Sequence, residues 1–421
     1  REPLRSTYGV VVFQDQVLEV AIALAGFTVG EAEGLRRAMS RKRSHDALEA
    51  YRGRFVAGAA EKGVDEEVAN TVFDKLVGFS GFGFPKAHAA AFGLLAYQSQ
   101  WLRRHFPGEF LCALLNAQPM GFYPPATLVR DAQRRGVVVL PADVNLSGAR
   151  CTIEGRKAGA RLNPGTPPVR IGLSYVASVG EDDAEALVAE REASGAFAGI
   201  ADLARRSQLS RDGLEALVKG GACDSFGRPR RELLWELGLA FRPRSAPGTG
   251  GEAKQLPLSL EPTVETPVLR DLTRWERMLA DYRHTGMSVG VHPLALLRPH
   301  LPEGTISSAE LRDERHGRQV AIAGMTVARQ RPSTAKGIVF MLLEDEHGQV
   351  NLIVPPIVYE RHRSTVRADP LVLARGRYER IGENRNVVVS AIESLGPLAR
   401  RLAESDTVWE SLPRPHSFGR R

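Results

Sequence analysis

Between residues 318 and 392 the chain changes period. Apolar residues alternate or run in five short stretches, 318–328, 337–346, 349–354, 371–380 and 385–392, with turn residues at Asp345–Gly348 and Gly382–Asn384. Successive side chains of a strand point to opposite faces, so this pattern specifies a sheet and fixes which face is buried. Five short strands, with a helix-like piece at 355–367 after the third, must hide their edges. Closure into a small barrel, here placed at 317–396, does so.

The rest of the chain keeps a helical period. Helices are expected at 14–26, 28–43, 45–61, 65–77, 89–106, 108–117 and 125–136. Thr28 with Glu31 three residues on forms a capping-box pattern, and Asp65, Glu66 and Glu67 suit a helix N-terminus. VVVLPADVN (137–145) reads as a strand and exit, 146–168 as irregular and VRIGL (169–173) as a short strand. Residues 174–240 read as two helix–turn–helix units in tandem, the first turn holding Gly180 and the second Gly220 and Gly221. The Pro-, Gly-, Ser- and Thr-rich stretch after them reads as a linker, followed by a helix at 269–283. With 421 residues, the chain is too long for one ordinary domain. It reads as a multidomain α+β protein: a helical region (1–145), a helix–hairpin–helix module (146–241), a linker (242–268), a connecting helical segment (269–316), the barrel, and a basic tail (397–421).

Charge narrows the function. Lys and Arg number 56 against 49 Asp and Glu, a net +7, which suits an acidic partner such as nucleic acid. The three cysteines, Cys112, Cys151 and Cys223, have no C-x-x-C spacing. This argues against a zinc site or disulfide framework and fits a reducing cytoplasm. No apolar run is long enough to span a bilayer, so no membrane partner is expected. The chain opens REPLRSTYGVVVFQ, without methionine or signal peptide and already strand-like at Tyr8–Phe13; the expectation is a piece of a longer protein. No carboxylate pair sits at a strand end to hold two magnesium ions, and the adjacent Asp182 and Asp183 lie in a helical turn.

Two stretches concentrate phosphate-binding chemistry. GEAEGLRRAMSRKR (30–43) carries Arg36, Arg37, Lys42 and Arg43; GFSGFGFPKAHAAAF (78–92) carries Lys86 and His88. A triphosphate cleft needs cations converging from different elements, and the two stretches could form its walls. A solvated basic face fits 36–43 as well, and the Gly78, Gly81, Gly83 turn does not match a P-loop and reads locally as a hinge packed by phenylalanines.

In the tandem helical units, a glycine turn can offer backbone N–H groups to a DNA phosphate with a helix dipole behind them, which selects Gly180, Gly220 and Gly221. The acidic run just after Gly180 opposes that reading, and a purely structural bundle is the alternative. In the barrel, Arg329, Arg331 and Lys336 precede Phe340. Cations beside an exposed aromatic suit single-stranded nucleic acid on a barrel of oligonucleotide-binding (OB) type; Phe340 as core fits equally.

Taken together, these stretches resemble a family. YGVVVFQDQVLEVAIALAGFTVGEAEGLRRAMSRKR and PKAHAAAFGLLAYQSQWLRRHFPGEFLCALLN are similar to the fingers of bacterial family C DNA polymerases, the alpha-subunit type. VRIGLSYVASVGEDDAEALV and LEALVKGGACDSFG resemble its helix–hairpin–helix module. DYRHTGMSVGVHPLALLRPHL leads, as in that family, into an OB-fold domain. NAQPMGFYPPATLVRDAQRRGVVVLPADVN resembles the error-prone, damage-tolerance branch.

The resemblance implies that Arg36 and Arg37 contact the triphosphate of an incoming dNTP, and that Lys42, Arg43, Lys86 and His88 line the same pocket. It implies primer-template DNA as partner, with Mg2+ held by palm aspartates that this sequence lacks. The chain alone would then bind DNA and polymerise nothing. KQLPLSL (254–260) stands where replicative members carry a clamp-binding peptide, without the usual aromatic ending; a sliding clamp or accessory damage-tolerance proteins are the implied further partners. The rivals are a non-enzymatic repair scaffold, which needs no helical first third, and a tRNA-synthetase-like protein, for which no adenylate motif is present.

Overall fold

A computed structural model describes residues 2–40, 45–79, 84–121, 123–155, 167–240, 267–382, 384–403, 412 and 416–418. The chain divides into two compact units, Arg1–Arg104 and His105–Arg421.

In the first unit, a 3-10 turn at Glu2–Thr7 precedes α1 (Gln14–Ala25), α2 (Val29–Ser40), α3 (His45–Glu61) and α4 (Glu66–Phe79). Their apolar faces close on Val17, Ala21, Leu35, Phe55, Phe73 and Leu76. The expected capping box starts α2: the Thr28 amide donates to the Glu31 carboxylate at 2.7 Å, and the Glu31 amide to the Thr28 hydroxyl at 3.2 Å. Helix α5 (Lys86–His105) is pinned at its start to α1. Lys86 N–H donates to Asp15 at 2.9 Å, Gln14 N–H donates to the Phe84 carbonyl at 3.0 Å, and the rings of Phe13 and Phe84 meet edge to face at 5.7 Å. Beyond that anchor α5 buries none of its residues and exposes Phe92, Leu94, Leu95, Tyr97 and Trp101.

The second unit opens with α6 (Pro107–Asn116) and α7 (Pro125–Arg134). The expected boundary at residue 145 thus falls inside this unit, because Leu111, Leu115 and Val129 share a core with Leu173, Leu203 and Leu217. A small sheet follows, β1 (Val139–Leu140), β2 (Thr152–Ile153) and β3 (Val169–Arg170), in the order β1-β3-β2. The helical module comprises α8 (Glu181–Ser194), α9 (Ile200–Arg206), α10 (Arg211–Lys219) and α11 (Arg230–Ala240). The first unit of the tandem repeat lacks its expected leading helix: only a 3-10 turn, Leu173–Tyr175, precedes Ser178, whose φ of 61° ends any helical path. The helix expected at 269–283 starts only at Arg274, where Thr273 and Glu276 make a reciprocal capping box; it runs as α12 (Arg274–Thr285), and α13 (Pro293–Leu297) follows.

The barrel holds β4 (Thr305–Ile306), β5 (Gln319–Gln330), β6 (Val339–Glu344), β7 (Gln349–Val354), helices α14 (Pro356–Arg361) and α15 (Arg363–Ala368), β8 (Leu371–Ile381) and β9 (Asn384–Ser394). After it come α16 (Gly396–Ala403) and β10 (His416–Phe418), the latter inside the stretch read as a basic tail. Strand order is β10-β5-β6-β7-β9-β8, and β5 pairs again with β8 to close the ring. Ile322, Met341, Leu352, Tyr378 and Val387 fill the barrel. Its wall residues Ala323, Met325, Leu371 and Leu373 instead join the core of the helical module. A helical first third, a helix–hairpin–helix module and a closed five-stranded barrel are thus all present, as the sequence pattern leads one to expect.

Candidate nucleic-acid interface

The first group of candidate residues lies on α2 and the start of α5. Glu33 is one turn before Arg36 and Arg37, so its carboxylate meets both guanidinium groups. It accepts from Arg36 Nε at 2.8 Å and Nη2 at 2.7 Å, and from Arg37 Nε at 3.0 Å. These hydrogen bonds pull the Glu33 carboxyl down to about 2 and raise Arg36. Asp15, which accepts the Lys86 amide, also lies near enough to Arg36 to favour its charge. The Lys86 ammonium stands 6.0 Å from the Phe13 ring. Arg36 and Arg37 therefore share Glu33, and Asp15 lies between Arg36 and the backbone amide of Lys86; the reading of the cations alone missed both acids. The i,i+3 and i,i+4 spacing from Glu33 was the available signal. His88 meets Phe92, one turn on, in a tilted ring contact at 4.5 Å between centroids, and both are exposed. Lys42 and Arg43, and Gly81 and Gly83 of the hinge, lie outside the described residues, as does KQLPLSL.

The glycine turns of the helical module correct an expectation. Gly220 and Gly221 are buried, and their amides donate to the carbonyls of Ala216 at 2.8 Å and Val218 at 3.1 Å. A Cβ on Gly220 would meet Thr285 and His284 at 3.2 and 3.3 Å. These two glycines serve close packing, and their amides do not face a phosphate. Gly180 is exposed, but its amide donates to the Asp183 carboxylate at 3.3 Å. The hairpin it closes is fixed by the Ala177 amide, which donates to the His284 carbonyl at 2.7 Å.

On the barrel, Arg331, Lys336 and Phe340 cluster where β5 gives way to β6. Arg331 is exposed, with its guanidinium 4.5 Å from the Tyr359 ring centre. Lys336 is exposed at a left-handed φ of 47°. Phe340 is 37% exposed, which resolves its reading as core or surface in favour of the surface. Register places Phe340 between Gln330 and Ile353, and carries the row on through Val388 to Arg377. The continuation was not read from sequence, because it depends on the parallel pairing of β7 with β9. Arg329 departs from expectation. It is buried, its Nη2 donates to the Asp369 carbonyl, and desolvation lowers its pKa to about 10. A bulge between Thr326 and Ala328 shifts the strand's alternation, and β10 pairs alongside at Ser417. A side chain counted as outward-facing is thereby turned in.

Among the described residues no group of three or more His, Cys, Asp or Glu side chains could hold a metal ion. The described carboxylates therefore do not fit a two-metal centre. Among these residues no helix is long and apolar enough to cross a membrane.

Comparison with known proteins matches two regions of the chain to described domains. Residues 1–63 match the finger domain of bacterial DNA polymerase III alpha subunits, and residues 136–233 match a helix-hairpin-helix motif. Over 398 residues, 94% of the chain, it is 44% identical to an error-prone DNA polymerase of Anaeromyxobacter sp. (strain K) and to one of Burkholderia pseudomallei, covering 34% and 36% of those proteins. It is 42% identical over 380 residues to an error-prone DNA polymerase of Mycolicibacterium paratuberculosis, covering 89% of this chain and 33% of that protein. The chain spans about a third of the length of the curated relatives it matches.

Proposed function

Because the chain is related along 94% of its length to bacterial error-prone DNA polymerases and carries the finger domain of the polymerase III alpha type, we propose that it is the part of such an enzyme that grips nucleotide and DNA. The carrying observation is collinearity: a finger domain at 1–63, a helix-hairpin-helix match at 136–233 and a closed barrel at 319–394 follow one another in a single chain.

In this reading Arg36 and Arg37 face the phosphates of an incoming dNTP, with Lys86 on the neighbouring helix. Two adjacent arginines of α2 give forked donors suited to phosphate oxygens once these displace Glu33, and they offset the phosphate charge as it transfers. Lys42, Arg43 and His88 belong to the same wall. The hairpin at Ala177–Gly180 and the Arg331, Lys336 and Phe340 patch grip primer-template DNA, the first by phosphate contact and the second by stacking and backbone attraction. At the hairpin, a phosphate oxygen would take the place of Asp183 on the Gly180 amide. Magnesium and the bond-making carboxylates belong to the two-thirds of the longer relatives that this chain does not cover. Damage-tolerant synthesis in the cytoplasm, with a clamp or accessory proteins as further partners, is the corresponding cellular role.

The test is charge reversal of Arg36 and Arg37 in a full-length polymerase containing this chain. The nucleotide KM should rise at least about tenfold with primer-template affinity unchanged. A fall in DNA affinity with an unchanged nucleotide KM would instead favour a non-enzymatic nucleic-acid scaffold. The 421-residue chain alone should bind DNA with a steep salt dependence and extend no primer.

A further inference from the structure

The barrel and the helical module share an apolar seam, yet three consecutive acids are driven into it at the turn between β6 and β7. Glu344 is 1% exposed. Its Oε2 accepts from Arg134 of α7 at 3.1 Å and from Gln349 at 3.0 Å, and its Oε1 lies 3.6 Å from His292 Nε2. His292 Nδ1 accepts the Leu294 amide at 3.1 Å, so the ring proton belongs on the nitrogen aimed at Glu344. Asp345 accepts from the Ser308 amide at 2.6 Å and hydroxyl at 2.5 Å, and from the His347 and Gly348 amides at 2.9 Å each. Glu346 takes Arg298 at 2.7 and 3.0 Å, and the same guanidinium reaches Asp345 at 3.4 Å.

We infer that the Glu344-Asp345-Glu346 turn is a latch that fixes the barrel's orientation on α7 and the segment around α13, which share a core with the helical module, so that two DNA-gripping surfaces act as one. An apolar seam supplies adhesion but little direction, since burial depends on area and tolerates sliding. A buried ionic cluster adds little net stability over an apolar one, and its return is geometric. Arg134 comes from α7 and Arg298 from just beyond α13, so the turn is held from two sides and cannot rotate about one contact. The socket is itself built in advance. Arg130 donates to the carbonyls of Ser288 at 2.6 Å and Val291 at 2.9 Å, and Gln133 to that of Val289 at 2.8 Å, tying α7 to the segment that presents His292. Two binding surfaces held at fixed separation bind one DNA with a high effective concentration, an advantage lost when they drift apart.

This inference rests on the DNA-gripping reading for its consequence, not for its geometry, and the experiment separates the two. Spin labels at Glu192→Cys on α8 and Ser364→Cys on α15, both exposed, are measured in the full chain with Cys112→Ser as background. A single narrow distance distribution is expected, broadening or splitting in Glu344→Ala. If the alanine chain fails to fold, Glu344→Gln serves, since it keeps the volume and removes the charge facing Arg134. An unchanged narrow distribution in the variant overturns the latch. In parallel, affinity for a duplex with a single-stranded overhang should fall roughly tenfold while affinity for the single strand alone holds within about twofold. An equal fall for both DNAs, or none for either, overturns the coupling. Failure of the unmodified chain to bind either DNA counts against the functional proposal instead, and leaves the distances to judge the latch.

Discussion

The guanidinium of Arg230 fills the space in which a side chain at Gly221 would stand: a Cβ there would lie 2.2 Å from Nη2 and 2.9 Å from Cζ. Arg230 cannot move aside. It is buried, donates twice to Asp224 at 2.8 Å, once to Asp281 at 2.8 Å and once to the Lys219 carbonyl at 2.9 Å. Gly221 also has a φ of 84°. We predict that Gly221→Ala lowers unfolding stability by about 2–4 kcal/mol, from backbone strain and the forced loosening of a buried ion pair. Urea unfolding measures it; a loss under about 1 kcal/mol would show that the turn accommodates a methyl group.

That pair shows where sequence stops being informative. The five expected barrel strands were legible to within two residues at every end, because alternation and the turn residues at Asp345–Gly348 are local signals, whereas β4 and β10 were not read. The Thr28–Glu31 cap was legible for the same reason. The work done by Gly220 and Gly221 was not, since it depends on Arg230, Thr285 and His284 arriving from elsewhere. Arg329 misled because a bulge and the distant β10 reverse its facing. The cations of α2 were visible, and Glu33 that binds them was visible too, at helical spacing. Asp15 was not, since only the tertiary packing of α1 against α2 and the start of α5 brings it near Arg36 and Lys86. The latch was legible only as a turn, because its partners Arg134, His292 and Arg298 reach it from 47 or more residues away in the chain.

Asp183 covers the one exposed amide among the three glycines assigned to DNA. Removing it should expose that donor and delete a negative charge from the hairpin. We predict that Asp183→Ala tightens duplex binding by about two- to tenfold at low salt, while weakening the start of α8 by about 1 kcal/mol. Fluorescence anisotropy at two salt concentrations checks it. Weaker binding, with α8 intact by circular dichroism, would mean that the hairpin does not face phosphate.

Phe340 and Arg329 should separate cleanly in single-strand binding. Stacking on an exposed ring contributes about 1–3 kcal/mol per base, so Phe340→Ala should weaken a short oligonucleotide roughly tenfold or more. Arg331→Ala should reduce the salt slope by about 0.7, the value for one phosphate contact on a single strand. Arg329→Met should leave that slope unchanged, because its guanidinium is spent on the Asp369 carbonyl. A slope that falls with Arg329→Met would place this side chain on the DNA after all.

Glu33 provides a test of the nucleotide wall that leaves both arginines in place. Its carboxyl, held near 2 by them, stays charged at neutral pH and competes with a phosphate for their donors. We predict that Glu33→Gln in the full-length enzyme lowers nucleotide KM by about two- to fivefold, the range of an exposed ion pair released. Steady-state kinetics on a primed template reads it, and an unchanged KM would remove Arg36 and Arg37 from the pocket.

The latch should be sensitive to acid, and its sign follows from its carboxylates. Burial opposes the charged forms of Glu344 and Asp345, but His292 and Arg134 on the first, and the Ser308, His347 and Gly348 donors on the second, leave both pKa values below their ordinary 4.5 and 3.8. A carboxyl depressed in the folded state contributes stability that is fully present above its unfolded pKa and is lost as pH falls through its folded one. Replacing both, as Glu344→Gln with Asp345→Asn, should therefore cost stability at pH 7, and the cost should shrink steadily once pH drops below 4.5. Burial holds the pKa of His292 down and Glu344 opposes that shift, so losing Glu344 moves the titration of His292 further into acid, while Arg134, Arg298 and Gln349 do not titrate there. The measurement is urea midpoint against pH for the two chains. Curves that run parallel from pH 7 to pH 3 would mean that the two carboxyls are not held charged by the socket, and the latch would lose its electrostatic basis.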